Sequence, residues 1–301
     1  MHSDNMKKQI FKMNSFFDGL MLEIAIFEPD GMVNGIVQFS HGMVEHKEYY
    51  YDFMEYLCKE GYVCIINDHR GHGNSIKSVD DYGYFYEESS DAIVEDLHQV
   101  TKYVKGLFPN KPVYLFGHSM GSLVVRKYLK KYDNDIDKLI VCGSPSINNS
   151  AASGLKFVNS VKKIKGDRYR SKLINKLVLK GDKNHKWLSN DIEYINKYKN
   201  DPKCGYVFTI NGFINLIKLL IDVYSPNGWR VYKPNLPILF IAGDKDIIIK
   251  SVKKWNESIA FLNKVGYINI EKKLYPGMKH ALLLEKNKDV VYKDILDFIK
   301  K

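Results

Sequence analysis

The stretch "VYLFGHSMGSLVVRKYL", residues 113–129, passes from a short apolar run of strand formers to apolar residues at helical spacing, with Gly117-His118-Ser119-Met120-Gly121 between them. A strand that feeds straight into a helix must turn within a few residues, and Gly117 and Gly121 lack the Cβ that would obstruct so tight a turn. Ser119 then projects from the point of the turn. It stands at a helix N-terminus, where unpaired N–H groups and the helix dipole favour developing negative charge. A nucleophile in acyl transfer needs that environment. An N-capping serine in a Gly-rich turn would look the same over five residues; the strand before it and the helix after it favour the nucleophile.

Working outward, "NGIVQFSHG", "YVCIIND", "KLIVCGSP", "PILFIAGDKD" and "INIEKKLYP" read as strands separated by helical patterns near 47–60, 90–107, 250–265 and 286–300. Strands alternating with helices imply an α/β fold, with a mostly parallel central sheet covered by helices on both faces. "IFKMNSFFDGLMLEIAIFEP" reads as a hairpin turning at Asp18-Gly19, which supplies an antiparallel N-terminal edge. The alternation breaks between two strands, from 147 to 232, where several helices follow one another. The expected organisation is a core formed by 1–146 and 233–301, with 147–232 inserted as a helical cap. Loops at the C-terminal ends of parallel strands build active sites, so a cap placed there covers one. Its segment "GFINLIKLLIDVYSP" is apolar on nearly every side, so it either packs within the protein or lines a pocket.

A serine hydroxyl needs a base to take its proton and a carboxylate to orient that base. After a strand–turn–helix nucleophile the order along the chain is serine, acid, histidine. Only His185 and His280 follow Ser119, and His185 falls in the cap; His280 follows a strand and precedes the last helix. The acid comes from "GDKD" at the end of a buried strand, where Asp246 is favoured over Asp244 because it stands at the rim and leads into an apolar run. The oxyanion needs two backbone donors. Met120, the residue after the nucleophile, gives one, and Met43 in the loop "HGMVEH" after an earlier strand gives the other. His69 and His72 have metal-like spacing, but no carboxylates complete a set, so they read as loop-stabilising residues.

The remaining features narrow the class. The chain has 301 residues and a net charge of +10, but most lysines are scattered, which argues against a nucleic-acid stripe. Residues 156–186 are denser, with eleven Lys or Arg against Asp167 and Asp182, interleaved with Leu173, Ile174, Leu177, Val178 and Leu179. A solvated basic face explains this; attraction to an anionic lipid surface is the sharper reading. Cys58, Cys64, Cys142 and Cys204 lack paired spacing and read as free thiols in a reducing compartment. Without an apolar leader or a span of sufficient length, the expected location is the cytoplasm.

Taken together, "HGMVEH", "DHRGHGNS", "GHSMG", "GDKD" and "GMKH" resemble the monoacylglycerol lipase and lysophospholipase branch of the α/β-hydrolase family, over almost the whole chain and most weakly in the cap. The resemblance implies the α/β-hydrolase fold, a triad of Ser119, Asp246 and His280, and oxyanion donors at Met43 and Met120. It also implies that Glu45 and His46 shape the site beside the oxyanion loop, although a structural hydrogen-bonding role fits them equally. It implies no metal and no organic cofactor. The expected substrate is a small-molecule ester of a single-chain lipid, with transient membrane-surface contact through the cap. A short-chain or aryl esterase is the enzymatic alternative, and a ligand-binding scaffold without catalysis is the alternative of another class.

Overall fold

The apolar runs assemble into one sheet. Among the described residues, 6–178 and 184–301 of the computed structural model, its strands are β1 (Lys7–Asn14), β2 (Met21–Glu28), β3 (Gly35–Ser40), β4 (Tyr62–Asn67), β5 (Val113–His118), β6 (Lys138–Cys142), β7 (Ile238–Gly243) and β8 (Ile270–Tyr275). They lie in the order β1-β2-β4-β3-β5-β6-β7-β8. β2 is antiparallel to both β1 and β4, and the pairs from β4 through β8 are parallel. β3, β4, β5 and β7 are buried along their full length, as strands covered on both faces must be. β1 is exposed and carries Lys7, Lys8 and Lys12, charges that discourage pairing with another sheet edge.

The helices in chain order are α1 (Tyr51–Lys59), α2 (Ala92–Leu107), α3 (Met120–Tyr132), α4 (Ala151–Lys165), α5 (Lys172–Val178), α6 (Ile192–Asn200), α7 (Ile210–Val223), α8 (Val252–Val265) and α9 (Lys288–Lys300). Phe53 and Leu57 of α1 pack with Ile295 and Phe298 of α9 on one face of the sheet. Leu97 of α2, Val124 of α3 and Trp255 of α8 belong to the core on the other. The helix expected from Lys47 begins instead as a 3-10 turn over Lys47–Tyr50, with α1 starting at Tyr51. Asp68 explains the delay, because its two oxygens take the Lys47 N–H at 2.9 Å and the Lys47 ammonium at 2.8 Å and tie that residue to the loop after β4.

Among the described residues, four helices, α4 to α7, lie between β6 and β7. α7 packs against α4 and α3. Both readings of its apolar sequence apply. Phe213, Ile214, Leu219 and Val223 are buried in the core, while Leu216, Ile217 and Leu220 face a cavity that also contains Ser119. No helix among the described residues is long and apolar enough to cross a membrane.

Candidate active site

Ser119 joins β5 to α3 with φ 52° and ψ −118°, a conformation unfavourable for a residue with a side chain. Its N–H donates to Cys142 O at 3.0 Å, and its carbonyl accepts from the N–H and hydroxyl of Ser122 at 2.9 and 2.6 Å. The two glycines explain how the turn closes. A Cβ on Gly117 would stand 2.5 Å from Gly121 O, and one on Gly121 would stand 2.0 Å from Ser40 O. A larger residue at Gly117 would force α3 away from β5, and one at Gly121 would force the elbow away from the end of β3.

His280 is 2% exposed and Asp246 is 4% exposed. The His280 Nδ1–H donates to Asp246 Oδ2 at 2.9 Å, which leaves Nε2 as the nitrogen with a free lone pair. The other carboxylate oxygen of Asp246 accepts the Ile248 N–H at 2.8 Å, so the carboxylate is fixed from both sides. Asp244 instead takes the Gly277 N–H at 2.7 Å in the turn after β8 and does not touch the imidazole. Close approach is again made by glycine: a Cβ on Gly243 would stand 2.1 Å from Met278 O, so the loop bearing His280 lies directly against the end of β7.

Met43 and Met120 border the cavity that contains Ser119 and His280. Met120 opens α3, where a backbone N–H has no partner within the helix. Met43 is followed by Val44 at φ 53°, a strained residue whose carbonyl accepts from Gly205 N–H and from the Tyr198 hydroxyl, both at 3.0 Å. Both residues expected as donors therefore border the same cavity as Ser119, and the loop bearing Met43 is held by the segment after α6.

A buried network links this loop to His280. Glu45 Oε1 accepts from the Gly42 N–H at 2.5 Å and the Tyr50 hydroxyl at 2.7 Å, and lies 3.3 Å from His118 Nδ1. The other nitrogen of His118 donates to the His280 carbonyl at 3.1 Å. Burial would raise the Glu45 carboxyl, but the hydrogen bond and charge of His118, with smaller contributions from His41 and Tyr50, hold it down at about 2. Burial would likewise lower His118, and the Glu45 hydrogen bond and charge outweigh it, so His118 is raised. The sequence marked Glu45 only as a neighbour of the oxyanion loop, and gave no sign that His118 bridges it to His280. The sole signal was a titratable residue placed just before Ser119.

The pair has a signed consequence. A depressed Glu45 contributes stability that is lost as pH falls from 4.5, its ordinary value, towards about 2. A raised His118 contributes stability that is full below 6.5 and lost as pH rises through its folded value. The Tm difference between the wild type and the Glu45→Gln/His118→Gln double variant should therefore be widest between pH 4.5 and 6.5 and narrow on both sides. A difference that does not vary with pH would show that the pair is not ionised in the folded protein.

His69 and His72 also serve the loop. Burial lowers His72 to about 3 and pushes His69 well below its usual range, so both are neutral. His72 Nδ1–H donates to Arg70 O at 3.0 Å, and His69 Nε2 lies 2.9 Å from Ser40 Oγ. Cys58, Cys64, Cys142 and Cys204 are all free.

The cavity has a volume of about 450 Å³. Beyond Ser119 and His280 its walls are mainly apolar, with Met43, Leu123, Trp187, Leu216, Ile217 and Ile248 among them. Trp187, which sequence reasoning passed over, places its ring 5.3 Å from the His280 imidazole, and the adjacent Leu188 O accepts the Ala281 N–H at 2.7 Å.

With this geometry in view, residues 31–287 match the family described as Serine aminopeptidase, S33. The chain belongs to that family. It is 25% identical over 283 residues to a monoacylglycerol lipase of Mycolicibacterium smegmatis, covering 93% of both chains. It is 26% identical over 285 residues to a monoglyceride lipase homolog of Monkeypox virus, covering 91% of both. The fold is that of a thermostable carboxyl esterase from Bacillus coagulans, with a TM-score of 0.88 at 24% identity over 98% of this chain and 99% of that one. The chain is thus an α/β-hydrolase of the monoacylglycerol lipase-like branch, with a mostly parallel sheet and an antiparallel hairpin at its edge.

Proposed function

We propose that this carboxylic ester hydrolase cleaves esters of single-chain lipids, monoacylglycerols or lysophospholipids, through an acyl-enzyme on Ser119. The observation that carries the reading is a largely apolar cavity of about 450 Å³ bordered by Ser119, His280, Met43 and Met120. Ser119 Oγ attacks the ester carbonyl carbon as its proton passes to His280 Nε2, and Asp246 stabilises the resulting imidazolium. The Met43 and Met120 N–H groups receive the oxyanion. When the tetrahedral intermediate collapses, the leaving alcohol takes the proton from Nε2. Water then attacks the acyl-enzyme with His280 as base, and the fatty acid and Ser119 are released. The chemistry uses no metal or organic cofactor.

In the same reading residues 147–232 form the cap over this cavity, and the protein works in the cytoplasm on a lipid ester, with no role in nucleic-acid binding. Each buried methylene contributes about 0.8 kcal/mol, and tenfold in rate corresponds to about 1.4 kcal/mol. Across a series of p-nitrophenyl esters, kcat/KM should rise at least about tenfold from acetyl to octanoyl. A maximum at acetyl would replace this reading with a short-chain esterase. Turnover of monoacylglycerols and lysolipids then distinguishes the head groups.

The basic run supports a further expectation. Ile164, Leu173 and Leu177 are 79%, 61% and 60% exposed. They lie among Lys162, Lys163, Lys165, Lys172 and Lys176. Leu177 also borders the cavity. Leu179, Lys180, Asp182 and Lys183 lie outside the described residues. If this surface docks on anionic lipid, each basic group contributes up to about 1 kcal/mol and salt screens it. Activity on anionic vesicles should fall between about 0.05 and 0.5 M salt, while turnover of a soluble short-chain ester stays nearly constant. Changing Lys162, Lys163, Lys165 and Lys172 together to Gln should reproduce the loss on vesicles alone. Equal responses of both substrates would leave the run as a solubilising surface.

A further inference from the structure

The loop leaving α6, Asp201-Pro202-Lys203-Cys204-Gly205, folds onto the loop that carries Met43, and its Gly205 N–H binds Val44 O at 3.0 Å. At this junction His46 Nε2 lies 2.8 Å from Asp201 Oδ2. The thiol of Cys204 completes a group whose three donor atoms all lie within 4.8 Å of one another. The proposed ester hydrolysis uses none of these side chains. His46 is buried, at 3% exposed, and Asp201 and Cys204 are partly buried, so an imidazole, a carboxylate and a thiol converge where the cap meets the oxyanion loop.

We propose that His46, Asp201 and Cys204 form a three-ligand site for a borderline divalent cation, Zn²⁺ foremost, which clamps the loop after α6 to the oxyanion loop. Nitrogen, oxygen and sulfur donors together select zinc over magnesium or calcium, which take oxygen ligands. Bonds of about 2.0–2.3 Å at tetrahedral angles hold donors about 3.3–3.7 Å apart. The His46–Asp201 contact therefore opens and the wider separations close, within the reach of side-chain movement. The Tyr49 hydroxyl donates to Asp201 Oδ2 at 3.1 Å and orients that ligand, and a water would fill the fourth position. On loading, the His46 proton that faces Asp201 moves from Nε2 to Nδ1 by exchange with solvent and the Cys204 thiol proton is released to solvent, so that the Nε2 lone pair and the thiolate bind the ion. Because Gly205 follows Cys204 directly and Met43 precedes Val44, the bound ion would fix the cap segment and the oxyanion donor as one unit.

The test is competition for Zn²⁺ between the full-length protein and a fluorescent chelator, followed by Co²⁺ substitution. Expected is one Zn²⁺ per chain, bound at least tenfold more weakly by Cys204→Ser and by Asp201→Asn, and not displaced by excess Mg²⁺. Co²⁺ should give a thiolate-to-cobalt charge-transfer band that Cys204→Ser removes. Cys204 is half-buried and forms no disulfide, so that variant keeps the fold, and Asp201→Asn gives a second, independent reading. Equal zinc affinity in the wild type and Cys204→Ser, or a cobalt spectrum insensitive to that change, overturns the proposal. These readouts do not depend on ester turnover, so they can fail while the hydrolase reading stands, and the reverse.

Discussion

Replacing Ser119 with Ala, or His280 with Ala, is expected to lower turnover of a p-nitrophenyl ester by about three orders of magnitude or more, roughly 4 kcal/mol of transition-state stabilisation. The two losses should be similar and should not add in the double variant, because in the proposed mechanism the two side chains act on one proton. Ser119→Ala removes only one hydroxyl at a position whose backbone is held by Cys142 and Ser122, so its Tm should stay near that of the wild type. Turnover within tenfold of wild type in either folded variant would refute the assigned roles.

Asp246→Asn is expected to cost about 10³–10⁴ in kcat, against no more than a few-fold for Asp244→Asn. An Asn side chain at 246 can present its amide NH₂ to His280 Nδ1. The imidazole would then carry its proton on Nε2, the nitrogen that must accept one from Ser119. Asp244 makes its hydrogen bond to the Gly277 N–H, so its amide should change local turn stability and little else. Steady-state kinetics of the two variants decide between them, and the reverse ranking would transfer the acid's role to Asp244.

The sheet, the strand–turn–helix at Ser119 and the strand-end loops bearing Asp246 and His280 were legible because each is a local pattern: apolar runs set the strands, and glycines mark where backbone passes close to backbone. Gly117, Gly121 and Gly243 all meet main-chain atoms at such points. The sequence also ranked Asp246 above Asp244 from its position relative to the strand end, and the structure places Asp246 on the imidazole. Contacts between distant segments were not legible. His46 with Asp201, Tyr198 with Val44, and Glu45 with His118 are separated by 155, 154 and 73 residues, and no periodicity encodes such pairings. Trp187 was missed for the same reason: its place beside His280 depends on how the stretch between β6 and β7 folds back, which composition does not specify. Helix starts shifted by a few residues where a particular bond intervened, as with Asp68 and Lys47.

The most direct test of the central claim is to label the wild-type protein with a fluorophosphonate and map the adduct by mass spectrometry, with and without a long-chain monoacylglycerol. A serine activated by His280 within an apolar cavity should carry the adduct on the peptide containing Ser119 and react more slowly when the lipid is present. An adduct on another residue, no adduct at all, or labelling of Ser119 at a rate the lipid does not change would contradict it.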